Sequence, residues 1–261
     1  MRFKGKTVIV TGSSQGTGMS ICLEFAKEGA DCVVVGHSSL ERTKKVADEV
    51  RSLGTRALAI TADVSKIEDV EAMVEQTISQ FGKIDILVNN AAPSKRGETP
   101  VIELSEAEWN KYIGVILTGT FLCSKVVGME MIKRKEGKII NMASVLASAA
   151  IPGRAAYGAS KAGVLQFTKL CALEWGKYNI NVNALSFGMT MSGQFEATAK
   201  NNPGIMEAML KRYPIKRFNR PEDVANAVLF LASPEAENIT GQEIIVDSGA
   251  NALLSCWEAD I

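Results

Sequence analysis

The chain has one histidine, His37, in 261 residues. A metal centre built from several histidines, or a helical His-Glu-x-x-His motif, therefore cannot be assembled. A Ser-His-Asp triad would have to recruit His37 itself. Net charge is absent as well, with 29 Lys and Arg against 29 Asp and Glu. Nothing in that balance points to nucleic acid or to an anionic membrane as a partner. The cysteines are Cys22, Cys32, Cys123, Cys171 and Cys256, an odd number with no Cys-x-x-Cys pair. Four of them fall in expected helices or strands, where cysteine serves as a small core hydrophobe, and the lack of a framework fits a reducing compartment. No hydrophobic signal region follows Met1–Lys6, and no apolar run reaches the ~18 residues of a membrane span. The expectation is a cytoplasmic protein. Repeats, low-complexity tracts and composition breaks are missing too, so one domain over 1–261 is expected.

What is present is a regular alternation. Hydrophobic residues make up 46% and charged residues 22%, ordinary for a globular chain able to bury a sizeable core. Thr7–Thr11 is a continuous apolar and β-branched run, the mark of a strand covered on both faces. Cys32–Val35, Arg56–Thr61, Ile86–Asn89, Gly137–Met142, Asn181–Leu185 and Ile239–Asp247 read as further strands. Between them lie helical stripes over Leu40–Leu53, Ile67–Phe81, Trp109–Lys133 and Tyr157–Tyr178, with capping boxes at Ser38-x-x-Glu41, Ser65-x-x-Glu68 and Ser105-x-x-Glu108. Pro221 opens a last helix. Strands alternating with helices call for an α/β fold with one doubly wound parallel sheet and helices on both faces.

Two stretches carry chemistry. The first is Gly12-Ser13-Ser14-Gln15-Gly16-Thr17-Gly18, set between the first strand and an apolar helix. Strand, glycine-rich turn and helix together aim backbone N–H groups and a helix N-terminus at a pyrophosphate, and glycine lets the backbone approach without a Cβ in the way. The second runs from Ser144 to Lys161. Ser144 stands at the C-terminal mouth of a strand, and after Pro152-Gly153 a helix begins with Tyr157 and Lys161 four residues apart on one face. A cation beside a phenol favours the phenolate, bringing a group that titrates near 10 towards the range where proton transfer is efficient. A serine hydroxyl at the same mouth is placed to hydrogen-bond the substrate oxygen.

Tyr-x-x-x-Lys by itself is common on surface helices. Preceded by a strand-end serine and an N-terminal Thr11-Gly12-x-x-x-Gly16-x-Gly18 loop, it resembles the short-chain dehydrogenase/reductase family of about 250 residues, across nearly the whole chain. The resemblance implies a Rossmann-like oxidoreductase that moves a hydride between NAD(P)(H) and a carbonyl or secondary alcohol carbon. It implies Ser144, Tyr157 and Lys161 as catalytic residues, with Lys161 also holding the nicotinamide ribose. It implies Gly12, Ser14, Gln15, Gly16, Thr17, Gly18, Asn90, Ala91, Tyr157, Lys161 and Gly188 around the cofactor. Asp63 and Val64 follow at the adenine, although Asp63 reads equally as a turn aspartate. Thr190 or Ser192 would reach the carboxamide. It further implies a cofactor-binding half over about 1–92, a catalytic and substrate half over about 93–261, and a homotetramer. A segment over about 189–213 reads as a lid over the substrate or as a plain pair of surface helices, and Pro93–Pro100 as a polar loop at the substrate mouth.

At the end of the second strand, where an Asp or Glu would select NAD, stand Gly36, His37 and Ser38. His37, Ser38 and Arg42 can meet a 2′-phosphate, so NADP(H) is expected over NAD(H), and a carboxylate at Gly36 would reverse the choice. The chain also departs from the family pattern. Ala92 stands for a glycine, Ile116 for an asparagine in the run Val115–Phe121, Phe187 for a proline and Ser248 for a glycine. The family asparagine holds a water linking the lysine to solvent, which an isoleucine side chain cannot do. These departures support a rival reading, a catalytically impaired subunit with a binding or partner role. Retention of both Tyr157 and Lys161 weighs against it.

Overall fold

In the computed structural model, which describes residues 1–93, 98–192, 194–201 and 203–252, every residue of β1 (Thr7–Thr11) is buried. Val8 and Val10 enter the core on one side of the sheet and Ile9 on the other, as the two-residue period of a strand requires. After β1 come α1 (Gly16–Lys27), β2 (Asp31–Gly36), α2 (Leu40–Ser52), β3 (Ala57–Thr61), α3 (Ile67–Phe81) and β4 (Ile86–Asn89). The second half runs α4 (Glu106–Tyr112), α5 (Gly119–Arg134), β5 (Gly137–Met142), α6 (Ala155–Trp175) and β6 (Ile180–Phe187). It closes with α7 (Gln194–Asn201), α8 (Pro203–Leu210), α9 (Pro221–Ala232) and β7 (Glu243–Val246). The seven strands are parallel in the order β3-β2-β1-β4-β5-β6-β7, the doubly wound sheet expected from the alternation. The order reverses between β1 and β4, and a crevice outside the carboxyl ends of these strands is where such sheets take ligands.

Two cores result. One packs α1, α2 and α9 on the face that holds Val8, Val10 and Val34. The other packs α3, α5 and the end of α6 on the face that holds Ile9, Val33 and Leu87. Cys22, Cys32, Cys123 and Cys171 are buried free thiols within them, and Cys256 lies outside the described residues.

Several element ends differ from expectation, each for a local reason. The cap of α2 is Ser39, whose Oγ accepts from the Arg42 amide at 3.3 Å; Ser38 stays exposed. Lys66 sits at the cap of α3, and Ser65 instead turns its hydroxyl to Asp63 at 2.7 Å. Ser105 caps α4, but the Glu108 carboxylate takes the Thr99 hydroxyl at 3.1 Å and leaves that box half made. Strand β7 starts at Glu243, because residues 240–241 turn onto β6: the Val182 amide donates to Thr240 Oγ1 and the Gly241 amide to the Val182 carbonyl.

Helices α4 and α5 are joined by a π-helical turn, Ile113–Thr118, into one rod from Glu106 to Arg134. By length and composition this is apolar enough to cross a membrane, which the residue runs had not suggested; half of its most apolar stretch is buried inside the protein, as in a core helix. Ile116 sits in the π turn with 0% exposure. It packs in a third cluster with Tyr112, Ala143, Ala156, Val164 and Ala184, against which Tyr157 leans. The Ile116 carbonyl accepts the Thr120 hydroxyl at 2.6 Å. An amide at this position would give up apolar contacts, with only two tyrosine hydroxyls among these side chains to meet its hydrogen-bonding groups. Ile116→Asn is therefore expected to lower stability by about 3 kcal/mol. Urea unfolding measures it, and an unchanged midpoint would show that the site can satisfy an amide.

Candidate active site

Ser144 lies just past β5, with extended backbone (φ −164°) and a side chain almost wholly buried, its Oγ accepting from the Leu146 amide at 3.2 Å. The two residues before it are fixed by the sheet: Met142 pairs with Leu185, and the Ala143 amide donates to the Leu185 carbonyl at 2.8 Å. Tyr157 occupies the first turn of α6, half-buried, with the Tyr112 ring edge-on at 6.5 Å. One turn further, Lys161 is 3% exposed, and its ammonium donates to the Met142 carbonyl and lies 5.8 Å from the centre of the Tyr157 ring. Burial lowers the lysine from its ordinary 10.5 to about 7, so near neutral pH its charge depends on what else touches it.

Small residues set α6 on the sheet. Ser160 and Thr168 return their hydroxyls to the Ala156 and Val164 carbonyls, and Asn141 of β5 donates to Thr168 Oγ1 at 2.9 Å. Asn89 of β4 donates in turn to Asn141 Oδ1 at 2.8 Å and to Ser124 Oγ of α5 at 2.9 Å. This buried seam ties β4, β5, α5 and α6 together beneath Ser144 and Lys161. It was not visible in the sequence, where four scattered polar residues carry no period.

The glycine-rich turn leaves β1 towards the same end of the sheet. Gly12 has φ +65°, and a Cβ on it would lie 2.8 Å from the Ala91 Cα; one on Gly18 would lie 2.5 Å from Asn90 Nδ2. The two loops at the switch point therefore touch through bare backbone. Asn90 fastens them, donating from Nδ2 to the Thr11 carbonyl at 2.9 Å and the Gly12 carbonyl at 3.1 Å. Gly16 and Thr17 open α1, whose cap Gln15 gives no side-chain bond to the first-turn amides. Ser14 is half-buried, its Cβ lying 3.3 Å from where a Cβ on Gly36 would stand. A Cβ on Gly36 would also come within 2.2 Å of Thr43 Oγ1, so a carboxylate cannot be set at Gly36. His37 and Ser38, both exposed, carry that edge. His37 Nε2 stands 3.8 Å from Asp63 Oδ2, and Arg42 donates to Gln15 Oε1 at 3.1 Å. Asp63 makes the turn too, accepting the Ser65 amide at 3.1 Å. Burial pushes its carboxyl up, while the Ser65 hydrogen bonds and His37 bring it below the usual range. Val64 is buried against the space over Gly119.

After β6 the chain crosses the sheet end. Gly188 bonds Val246 of β7, Thr190 is buried with its hydroxyl on the Gly188 carbonyl at 3.2 Å, and Ser192 Oγ comes within 4.0 Å of a Cβ placed on Gly16. Ser144 and Tyr157 open onto one cleft of about 550 Å³. Its walls are mostly apolar: Val145, Leu146 and Ile151 from one side, Phe187 and Met189 from another, Met209 and Tyr213 from a third. The wall at Met209 is the end of α8. The stretch is pinned where Phe218 meets Phe195 at 5.3 Å and Tyr213 at 5.0 Å, ring edge to face. Burial pushes the Tyr213 phenol up, against a lowering hydrogen bond from the Met189 backbone. Arg154, Arg212 and Asp247 also line the cleft. None of these was singled out in the sequence as a cleft residue, although Arg154 stands three residues before Tyr157, at the N-cap of α6. Among the departures, Phe187 is a wall, Ala92 is exposed, and Ser248 takes the left-handed φ of 58° that suits the glycine it replaces. Residues 94–97 of the expected mouth loop and the tail from 253 onwards lie outside the described residues.

A family profile described as Enoyl-(Acyl carrier protein) reductase matches residues 12–251. A 3-oxoacyl-[acyl-carrier-protein] reductase of Staphylococcus epidermidis is 38% identical over 244 residues, covering 94% of this chain and 98% of the relative. A (2S)-[(R)-hydroxy(phenyl)methyl]succinyl-CoA dehydrogenase subunit of Thauera aromatica is 36% identical over 95% of this chain and 98% of its own. Among solved structures, levodione reductase superposes with a TM-score of 0.91 at 31% identity, covering 97% of this chain and all of that one. A protein assigned as a short-chain alcohol dehydrogenase of Sinorhizobium meliloti 1021 also reaches 0.91, at 32% identity, covering 97% of this chain and 98% of its own. None of these supports the reading of an impaired subunit. By sequence over nearly its full length and by fold, the chain belongs to the short-chain dehydrogenase/reductase family and is an NAD(P)-dependent oxidoreductase acting on carbonyl or secondary alcohol groups.

Proposed function

We propose that the chain is an NADP(H)-preferring ketoreductase in which Ser144, Tyr157 and Lys161 do the protein's share of the work. The observation that carries this is the convergence of Ser144 and Tyr157 on one largely apolar cleft, with the Lys161 ammonium buried behind the phenol ring. The residues at the switch point fit a dinucleotide. Gly12 and Gly18 bring the loop backbones together where side chains would clash, and the first turn of α1 presents amides that no cap side chain takes. Ser14, Gln15, Gly16 and Thr17 would lie along the pyrophosphate, with Asp63 and Val64 beside the adenine. Ala91, Gly188 and Thr190 would flank the nicotinamide, while Asn90 contributes by bracing the loops. A bound nicotinamide supplies or accepts the hydride.

The chain's own residues handle the oxygen and the proton. Ser144 Oγ holds the substrate oxygen by a hydrogen bond. The Tyr157 hydroxyl gives its proton to that oxygen as negative charge gathers on it in reduction, and takes the proton back in oxidation. Lys161 lowers the cost of the phenolate by its charge. Buried and drawn down towards 7, that charge needs acceptors besides the Met142 carbonyl, and ribose hydroxyls in this groove would supply them. Ile116 brings no side-chain acceptor of its own, so a water exchanging protons with Lys161 would be held there by backbone carbonyls. The apolar cleft walls keep water from the reacting carbon.

Trp109 and Phe121 on the α4–α5 rod, with Leu170 and Leu173 on α6, are exposed large hydrophobics. This face supports the pairing of copies into a homotetramer, and a monomer by light scattering at micromolar concentration would remove that proposal. The charge balance and buried thiols favour the cytoplasm as its compartment.

Tyr157→Phe keeps the ring and removes the proton. Turnover is expected to fall by roughly 10²-fold or more, with cofactor affinity within a few fold. Near-native kcat by nicotinamide absorbance would refute the acid/base role. At the adenosine edge, NADPH is expected to bind more tightly than NADH, by about tenfold, through His37, Ser38 and Arg42. His37→Asp, placed where Gly36 cannot accept a side chain, should reverse that order in fluorescence titrations. A native preference for NADH would overturn the assignment.

A further inference from the structure

We infer that the substrate carries a carboxylate, and that Arg154 is the residue that selects it. This rests on the ketoreductase reading of the cleft and adds the class of ketone. Arg154 is the N-cap residue of α6, three residues before Tyr157. Both line the cleft. Its side chain is only 16% exposed, so the guanidinium is held in place rather than trailing in solvent. A planar fork of donors fixed beside an apolar cavity matches a carboxylate in geometry as well as in charge.

In the structure Arg154 Nη2 donates to Glu98 Oε1 at 2.5 Å. The Glu98 side chain is 76% exposed. An ion pair with so much water on one partner is weak, and that partner loses little by swinging out. Glu98 thus stands in for the substrate anion: it keeps the guanidinium aimed and yields to a carboxylate that arrives with an apolar body to fill the cleft. A second guanidinium, that of Arg212, lines the same cleft. Among the described residues the one lining acid, Asp247, is turned to other use, its two oxygens accepting the Gly249 amide at 2.9 Å and the Asn251 amide at 2.7 Å. The substrate is then a ketone with an apolar group on one side of the carbonyl and a carboxylate a few bonds away on the other.

Binding of an unreactive pair tests this without turnover. To the enzyme with NADP⁺, 4-phenylbutanoate should bind at least tenfold more tightly than its methyl ester by calorimetry. Arg154→Gln should abolish that difference by weakening the acid while ester affinity stays within twofold. Glu98→Gln removes the competing carboxylate and should tighten the acid several-fold, an effect that a purely structural clamp between Glu98 and Arg154 would not give. If Arg154→Gln fails to fold, the Glu98→Gln result decides. Equal affinity of the native protein for acid and ester, or discrimination that survives Arg154→Gln, overturns the inference. Reduction of 4-oxo-4-phenylbutanoate is a separate reading: its absence alongside acid-selective binding would count against the reductase assignment and leave the anion site standing.

Discussion

The burial of one ammonium group governs the arrangement of this site. Lys161 sits in a helix–sheet interface with 3% exposure and one carbonyl, that of Met142, as its acceptor. A charge taken out of water is costly unless it is paired or hydrogen-bonded. The helix that carries it must therefore be held against β5 firmly enough that this contact persists. Small residues do this: Ala156, Ser160, Val164 and Thr168 are buried along α6, and the two hydroxyls are satisfied by the helix itself. Tyr157 and Arg154 inherit their positions from the same helix. The proposed acid/base residues, part of the cleft wall and the proposed anion selector are thus carried by one packed element.

Strand β4 is the counterpart on the side of the glycine-rich turn. It is pinned at both ends by polar contacts. At its entry Asp85 is almost fully buried and accepts from the Thr7 amide at 2.8 Å, while Arg134 and Lys83 approach to 2.7 and 3.0 Å. Burial would push that carboxyl up, and these donors more than offset it and hold it low. At its exit Asn89 joins the seam to β5 and Asn90 ties the loop to β1. The edge of the crevice is thus fixed on either side of the switch point, so the loops can be glycine-rich without losing their relative position.

The sequence made the sheet legible because buried parallel strands are continuous apolar runs, and the Gly12–Gly18 turn and the Ser144, Tyr157, Lys161 spacing are local signals. Cap positions slipped where two serines adjoin, as at Ser38 and Ser39, since either fits the residue preference and only the backbone decides. The cleft walls were harder. Met209, Tyr213 and Asp247 reach Ser144 through folding across more than sixty positions of chain (Ser144 to Met209 is 65), and no period announces such a meeting. The Asn89–Asn141–Thr168 seam was hidden for the same reason. Gly36 shows the opposite limit: its glycine is required by Thr43 Oγ1, a contact that spacing alone does not reveal.

The departures from the family pattern take on a different sense once they are placed. In the sequence they argued for a decayed site. In the fold, Phe187 is a wall of the substrate cleft, and Ile116 fills the third core cluster behind Tyr157. Ser248 adopts φ 58° while its carbonyl accepts from the Ile215 amide at 3.1 Å, so a strained backbone is held by a bond. Here one substituted side chain, Ile116 in place of an amide, makes the surroundings of the phenol more apolar. Fewer competing donors and acceptors then stand near the reacting oxygen, and the Lys161 charge acts on Tyr157 through a medium that screens it less than water. A site with less polar relay and more apolar wall leans harder on its buried lysine, which is the group the fold holds most tightly.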